Sequence, residues 1–550
     1  MAGRAGHEGH DPRAVGAHRE RAATPAAALI WTSRGRILRQ PQFGGTRGAV
    51  RDRLAYPLRR LACVVVLAIA ACLGTKAIAA EPTLDVAAMP RVATIGPRFQ
   101  SYNIEMVEVT GGRFWKPYAA ADASAKTEQL APRTPIDLRD GRLRKLAAAL
   151  APAYLRVSGT WANSTFFADS DTPPAAPPAG FNGVLTRQQW REVIDFSHAV
   201  DAPIVTSFAI SAGTRDAGGR WSAEQARQLL AFTRSAGGHI AAAEFMNEPD
   251  LPTIGGAPAG YDAAAYGRDF AAFSAFMKDA APDVTILGPG TIGTGADTRA
   301  RFAVSAAGID EVSYHHYGAL SARCSGDRTA KFALSDAWLA RTGKTLAFYR
   351  TLRDRLASGK PIWLTETAET ACGGNRWAAT FTDTFRYLDQ LGRLARAGVQ
   401  VVMHNTLAAS DYGLLDERTH LPRPNYWAAL LWRRLMGTSV LDAGVTVQPG
   451  LHVYAHCARD MPDGVALLVI NNDRRYQRKL TLSAASQRYT LASANPADGT
   501  VRLNDSPLAL AAFDQIPALN GEVAAAGPIT FAPATITFLT IANAGNTNCR

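Results

Sequence analysis

Ala241-Ala242-Ala243-Glu244-Phe245-Met246-Asn247-Glu248-Pro249 and Pro361-Ile362-Trp363-Leu364-Thr365-Glu366-Thr367 are two short apolar runs, each ending in a polar cluster with a glutamate. Each run has the length of a strand buried on both faces, the kind found in parallel sheets. Glu248 and Glu366 are 118 residues apart, which is the span of three strand-helix units of about 40 residues each. Outward from these two runs, residues 100–406 repeat the pattern, with short apolar runs alternating with Ala/Leu/Arg-rich stretches of helical period, for example 140–150, 223–235 and 380–397. Eight strands are expected, beginning near Tyr102, Ala153, Pro203, Ala241, Thr285, Glu311, Pro361 and Val399. Eight such units in about 300 residues predict an α/β fold, a (β/α)8 TIM barrel over residues 101–435.

From residue 436 to 550 the texture changes to β-rich runs at hairpin spacing, 451–456, 465–471, 479–482, 489–493 and 535–541. Turn residues such as Pro462-Asp463-Gly464 separate them, which predicts a C-terminal antiparallel β-sandwich domain. No Gly/Ser-rich linker precedes it, so the two domains are expected to pack closely. With 550 residues, 47% of them hydrophobic and 19% charged, the chain has ample material for both cores.

The formal charge of +12 is not spread evenly: residues 1–80 carry 13 Lys and Arg against four Asp and Glu, leaving residues 81–550 at +3. A nucleic-acid partner is therefore not expected. Arg59-Arg60, the apolar run from Leu61 to Leu73 and the small residues Ala77 to Ala80 have the order of a secretory signal peptide. Residues 1–80 thus read as a leader, of which 1–50 look like the product of a start codon placed too early. The expected location is secreted or periplasmic. An alternative is a lipid anchor, since Ile69-Ala70-Ala71-Cys72 resembles a lipoprotein box. Past the leader, Cys324, Cys372, Cys457 and Cys549 allow three disulfide pairings, and their spacing does not suit structural zinc.

Catalytic groups of a parallel barrel stand at the C-terminal ends of its strands. Glu248 and Glu366 are expected to face one pocket across the barrel mouth, and paired carboxylates are the equipment for glycoside hydrolysis. A surface carboxylate at a strand end would explain either glutamate alone, but not the pair. Asn247 is placed to bond a sugar 2-hydroxyl. The sixth strand ends Tyr314-His315-His316-Tyr317, too polar for a barrel interior unless it lines the site, so His315 and Tyr317 are read as hydrogen-bonding groups there. Adjacent histidines on a strand point to opposite faces and no third ligand is evident, so no metal and no cofactor is expected. No Gly-x-Ser-x-Gly elbow is present, which removes the serine-hydrolase reading.

These segments, with Ala153 to Thr160, Gly373-Gly374, Tyr412-Gly413-Leu414-Leu415-Asp416 and Asn425-Tyr426-Trp427, resemble the heparanase-like β-glucuronidases of glycoside hydrolase family 79, in collinear order over residues 100–550. The resemblance implies a retaining β-glucuronidase with Glu248 as acid/base and Glu366 as nucleophile. It implies that the glucuronate carboxylate is held by the backbone amides of Gly373 and Gly374 and by the Tyr412 hydroxyl, and that Glu105 contacts the sugar ring. It also implies a Cys457–Cys549 bridge, and residues 81–100 adding a strand to the sandwich. Two departures stand out. Cys372 occupies the place of a tyrosine before the glycines, in a loop one residue longer, which makes Glu369 a rival to Glu366 and suggests a Cys324–Cys372 bridge bracing the loop. No long insertion follows the first strand, where residues 110–135 are short, so a single chain active without proteolysis is expected.

Arg113, Lys116, Arg215, Arg220, Arg323, Arg328 and Arg376 all fall on loops of the predicted catalytic face. Together they favour an anionic polysaccharide of heparan sulfate type, cleaved internally. An exo-β-glucuronidase on proteoglycan or plant glucuronides is the alternative enzyme, and a non-catalytic glycosaminoglycan-binding protein is the alternative class. No stable protein partner is expected, and the chain is read as a monomer.

Overall fold

Eight strands buried almost throughout close on one another in the computed structural model, which describes residues 82–118, 129–324, 326 and 330–550. The leader assigned to residues 1–80 lies outside the described residues. In order around the barrel the strands are Gln100–Glu105, Leu155–Ser158, Ile204–Ser207, Ile240–Glu244, Thr285–Thr291, Glu311–Tyr317, Ile362–Ala368 and Val401–His404. All neighbours are parallel, and the eighth returns to the first through Val402 opposite Gln100 and His404 opposite Tyr102. This is the expected (β/α)8 barrel, with each strand starting within two residues of its predicted position.

Side chains alternate across a strand, so positions two apart share a face. Tyr154, Val205, Ala242, Trp363, Val401 and Met403 pack together as an apolar layer inside the barrel. Two residues further along four of these strands stand Arg156, Ser207, Glu244 and Thr365, so the interior turns polar towards the C-terminal ends. A bulge breaks the register of the seventh strand: Tyr314 pairs with Leu364 but His315 with Glu366, skipping Thr365. The extra residue lets both Thr365 and Glu366 reach the interior, although alternation alone would send one outward.

The antiparallel part is a sandwich. Its large sheet runs Arg91–Thr94, Met436–Leu441, His452–Ala458, Val465–Asn471, Thr535–Ile541, Ser486–Ala492, Arg502–Leu503 and Ser506–Pro507, with Glu522–Ala524 beside Ser486–Ala492. The small sheet contains Thr83–Leu84, Arg478–Leu482 and Gly527–Phe531. In the strand Val465–Asn471, Val465, Leu467 and Val469 join the core between the sheets, while Ala466, Leu468 and Ile470 join the barrel-side core. Burial on both faces explains why this strand reads as a continuous apolar run rather than an alternating one. The bridges Cys324–Cys372 and Cys457–Cys549 are both formed, and disulfides fit a protein of an oxidising compartment. Among the described residues no helix is long and apolar enough to cross a membrane.

The helix Phe381–Arg396 is one of the elements that join the two parts. Its Asp389 accepts from the Tyr454 hydroxyl at 2.6 Å, pairs with His452 at 2.5 Å and with Arg393 at 2.6 Å. Its Gly392 lies under the Tyr454 ring, where an added Cβ would stand 2.4 Å from the ring. Gly to Ala inside a free helix stabilises by about 1 kcal/mol. Here the sign is reversed: Gly392→Ala is expected to destabilise by about 1–3 kcal/mol through overpacking, as read from denaturant unfolding.

Candidate active site

A single buried arginine organises the barrel mouth. Arg156, in the middle of the second strand, has no solvent exposure. Its Nε and Nη2 donate to Glu244 Oε2 at 3.1 and 2.9 Å, its Nη1 donates to Glu366 Oε2 at 2.8 Å, and its Nη2 also donates to Asn247 Oδ1 at 2.8 Å. Thr365 completes Glu244 by donating to Oε1 at 2.8 Å. Burial disfavours the charge on Glu244, yet Arg156 and His315 outweigh it and hold the carboxyl below its usual range. Sequence reading named neither Arg156 nor Glu244 as a site residue.

Glu248 and Glu366 both line one cavity of about 680 Å³ at the C-terminal ends of the strands, together with Glu105, Tyr317, Asn405 and Tyr412. One carboxylate oxygen of each and a ring nitrogen of His315 lie within 4.8 Å of one another. The environments of the two glutamates differ. For Glu366, burial is overcome by His315, Arg156 and the Tyr317 hydroxyl, which donates to Oε1 at 2.7 Å, so the carboxyl is held below the ordinary value. For Glu248, burial dominates and the charge of Glu366 adds to it, so the carboxyl is pushed up despite its contact with His315 Nδ1 at 3.1 Å. Glu248 also has a φ of +46°, a left-handed conformation rare for a glutamate, of the kind that persists where the surroundings enforce it. Asn163 enforces it here, clamping the preceding residue: its Oδ1 accepts from the Asn247 amide and its Nδ2 donates to the Asn247 carbonyl, both at 2.8 Å.

His315 bridges the pair, closer to Glu248 than to Glu366, whose Oε2 is 3.8 Å from Nδ1. Burial opposes its protonation, but Glu366 and the bond to Glu248 raise its pKa on balance. The Glu248, His315 and Glu366 donors form the one grouping with metal-ligand spacing among the described residues. Arg156 already holds Glu366 Oε2, so a divalent ion there would sit against a fixed cation, and the donor set does not suit one.

Asn405, just past the eighth strand, is a third residue that sequence reading missed. Its Nδ2 reaches Glu105 Oε1 at 3.0 Å, the Tyr317 hydroxyl at 3.0 Å and the Tyr412 hydroxyl at 3.4 Å. Glu105 is buried, its Oε2 has no partner among the described residues, and burial together with Glu366 pushes its carboxyl well up. Gly373 and Gly374 have φ of +73° and +81°. A Cβ at Gly373 would meet the Trp115 Cβ at 2.4 Å, which makes glycine the residue that fits. Glu369 faces elsewhere: its Oε1 accepts from the Asn375 amide at 2.5 Å and from Thr370 at 2.8 Å, and it does not line the cavity.

The predicted loop cations divide. Arg113 lines the cavity, and Lys116, Arg220 and Arg376 lie outside it on partly or fully exposed loops. Arg215 is paired with Asp269, and Arg323 is buried against Asp411 at 2.6 Å, so neither presents a free guanidinium to a substrate. Arg328 lies outside the described residues. Apolar groups dominate the walls, among them Val107, Trp115, Leu130, Trp161, Leu251 and Ile254.

The family described as glycosyl hydrolase family 79, N-terminal domain, matches residues 114–392. Heparanase-like protein 1 of Arabidopsis thaliana is 29% identical over 359 residues, covering 61% of this chain and 65% of its own length. Baicalin-beta-D-glucuronidase of Scutellaria baicalensis is 36% identical over 148 residues, 26% of this chain and 28% of its own. Heparanase of Mus musculus is 27% identical over 494 residues, 78% of this chain and 90% of its own. The chain thus spans less than two thirds of the first two relatives. Among solved structures, a 4-O-alpha-L-rhamnosyl-beta-D-glucuronidase from Fusarium oxysporum 12S has a TM-score of 0.58 at 14% identity, covering 84% of this chain and all of its own, 100%. A GH51 arabinofuranosidase from Xanthomonas axonopodis pv. citri has a TM-score of 0.57 at 14% identity, covering 82% and 97%. At that identity the likeness shows a shared fold.

Replacing Arg156 with methionine leaves Glu244 and Glu366 buried without their cation. Arg156→Met is expected to lower stability by about 3–5 kcal/mol, measured by urea unfolding.

Proposed function

The chain belongs to glycosyl hydrolase family 79, and on that premise we propose that it is a retaining β-glucuronidase cleaving internal glucuronic acid linkages of heparan sulfate-type polysaccharides. The observation that carries the reading is the pair Glu248 and Glu366, with carboxylate oxygens within 4.8 Å and acidities pushed in opposite directions. Retaining enzymes hold their two carboxyl groups about 5–5.5 Å apart, whereas inverting ones leave room for a water between them. Carboxyls driven apart in acidity divide the roles of acid and nucleophile.

In this mechanism the ionised Glu366 attacks the anomeric carbon. Arg156, donating to Oε2, and Tyr317, donating to Oε1, orient the carboxylate. Glu248 gives its proton to the glycosidic oxygen as the leaving group departs, then takes a proton from the water that hydrolyses the glycosyl-enzyme. His315, 3.1 Å away, holds Glu248 in place. Arg156 fixes the Asn247 Oδ1, which turns Nδ2 towards the sugar 2-hydroxyl. Glu105, whose carboxyl is pushed well up by burial and by Glu366, and the Tyr412 hydroxyl contact the ring and its carboxylate, and the Gly373 and Gly374 amides receive that carboxylate.

One observation favours a second reading, an exo-β-glucuronidase releasing a terminal glucuronate from a less charged aglycone. Arg113 is the one Lys or Arg lining the cavity among the described residues, and the walls are largely apolar. One relative is named for the glucuronide of a plant compound, which is compatible with such walls.

The test follows the chain-length distribution of size-defined heparan sulfate over time, with Glu366→Gln as control. A rapid early fall in mean length, abolished by the variant, is expected. Release of free glucuronate at constant length would favour the exo reading, and binding without turnover would favour a non-catalytic glycosaminoglycan-binding protein. Glu248→Gln is expected to reduce kcat by about 10²–10⁴-fold. The kcat/KM profile should be bell-shaped, with one limb below the ordinary glutamate range and the other above it: activity falls on the acid side as the depressed Glu366 gains a proton, and on the alkaline side as the raised Glu248 loses one. A profile with no alkaline limb would remove Glu248 as the acid.

A further inference from the structure

Arg323 was expected to greet sulfates, yet it is turned inward and joins four loops of the catalytic face. Its Nη1 donates to the carbonyls of Cys372 at 3.2 Å and Gly374 at 2.6 Å. Its Nη2 donates to the Lys116 carbonyl at 2.5 Å and to Asp411 Oδ2 at 2.6 Å. The Tyr118 ring covers the guanidinium, with its centroid 3.7 Å from the central carbon. The backbone beside it is zipped to the glycine loop by the Ser321 amide, which donates to the Ala371 carbonyl at 3.1 Å, and by the Cys324–Cys372 bridge.

In a planar trans peptide the N–H points opposite to the preceding C=O. With the Cys372 carbonyl on Arg323, the Gly373 N–H is turned to the side away from the guanidinium. The same rule is visible two peptides later: Arg323 holds the Gly374 carbonyl while the Asn375 N–H points away, onto Glu369. Between these, the Gly373 carbonyl accepts from Ser410 Oγ at 2.8 Å, which fixes the Gly374 peptide. Cys372, Gly373 and Gly374 all have positive φ, +62°, +73° and +81°. Neither glycine amide has an intrachain acceptor among the described residues. The partner of Arg323 on the eighth-strand loop, Asp411, directly precedes Tyr412. One guanidinium thus reaches the loop of the glycine amides and the loop of the tyrosine.

We infer that Arg323 is a positioning residue for recognition of the substrate carboxylate: without touching the sugar, it sets the direction of the Gly373 and Gly374 amides and the place of Tyr412. This rests on the glucuronidase reading above. Lysine cannot replace it, because a single ammonium lacks the planar fork that serves two carbonyls on one side and a third with a carboxylate on the other.

The experiment compares kcat/KM for 4-nitrophenyl β-D-glucuronide and 4-nitrophenyl β-D-glucoside in the wild type, Arg323→Gln and Arg323→Lys, with the melting temperature of each. The expected result is a fall of roughly 10–100-fold in the glucuronide/glucoside ratio for R323Q, the scale of losing charged hydrogen bonds, with a smaller fall for R323K. A folded variant that loses both activities in proportion would overturn the assignment, since a merely structural arginine does not sense the carboxylate. If R323Q does not fold, R323K carries the test by the same ratio. Wild-type protein with no preference for the glucuronide would overturn the proposed function instead, and this role with it.

Discussion

A guanidinium removed from water must be answered by acceptors, and the mouth of this barrel is built from the answers to Arg156. Glu244, Glu366 and Asn247 come from two other strands and converge on it. Burial of two carboxylates and a cation is expensive, and well-packed apolar residues of similar volume often serve stability as well or better. The barrel has an apolar interior layer one step below, formed by residues such as Val205, Ala242 and Met403. Extending that layer upward would have been the simpler way to fill the space. The polar layer is an arrangement that serves chemistry, and the fold carries its cost.

The same cation divides the glutamates. Glu366 touches Arg156 and is held below its usual range, while Glu248 stands one residue beyond Asn247 and is pushed up by burial and by its neighbour's charge. Glu105 falls under the same influence from the opposite wall. Three glutamates in one cavity therefore need not carry three charges, and a substrate with its own carboxylate meets less repulsion than a formal count suggests.

The strands were legible because parallel barrels bury them on both faces and leave short apolar runs between helices. Glu248 and Glu366 were legible because each ends such a run. Arg156 left a signal that went unused: a charged residue between Leu155 and Val157, inside a fully buried strand, must find a partner. Asn405 left almost none, since asparagine after a strand usually marks a turn. Glu366 and Glu369 could not be separated by spacing alone, because the bulge at Thr365 resets which residues face inward. The loop cations misled for a related reason. Whether an arginine on a loop is free depends on which other loops lie beside it, and Arg323 and Arg215 find their acids in segments distant along the chain.

The large sheet takes one strand from the start of the described chain, Arg91–Thr94, and pairs it with Met436–Leu441 near the other end. The short strand Thr83–Leu84 similarly waits for Arg478–Leu482. A ribosome makes the first of these hundreds of residues before the second. During synthesis those early strands have no edge to join, and the nascent barrel can close between residues 100 and 404 while its leading segment is still unpaired. Such distant pairings raise contact order and slow assembly. The sandwich is thus the last part of the chain that can be completed, whatever order the barrel units follow.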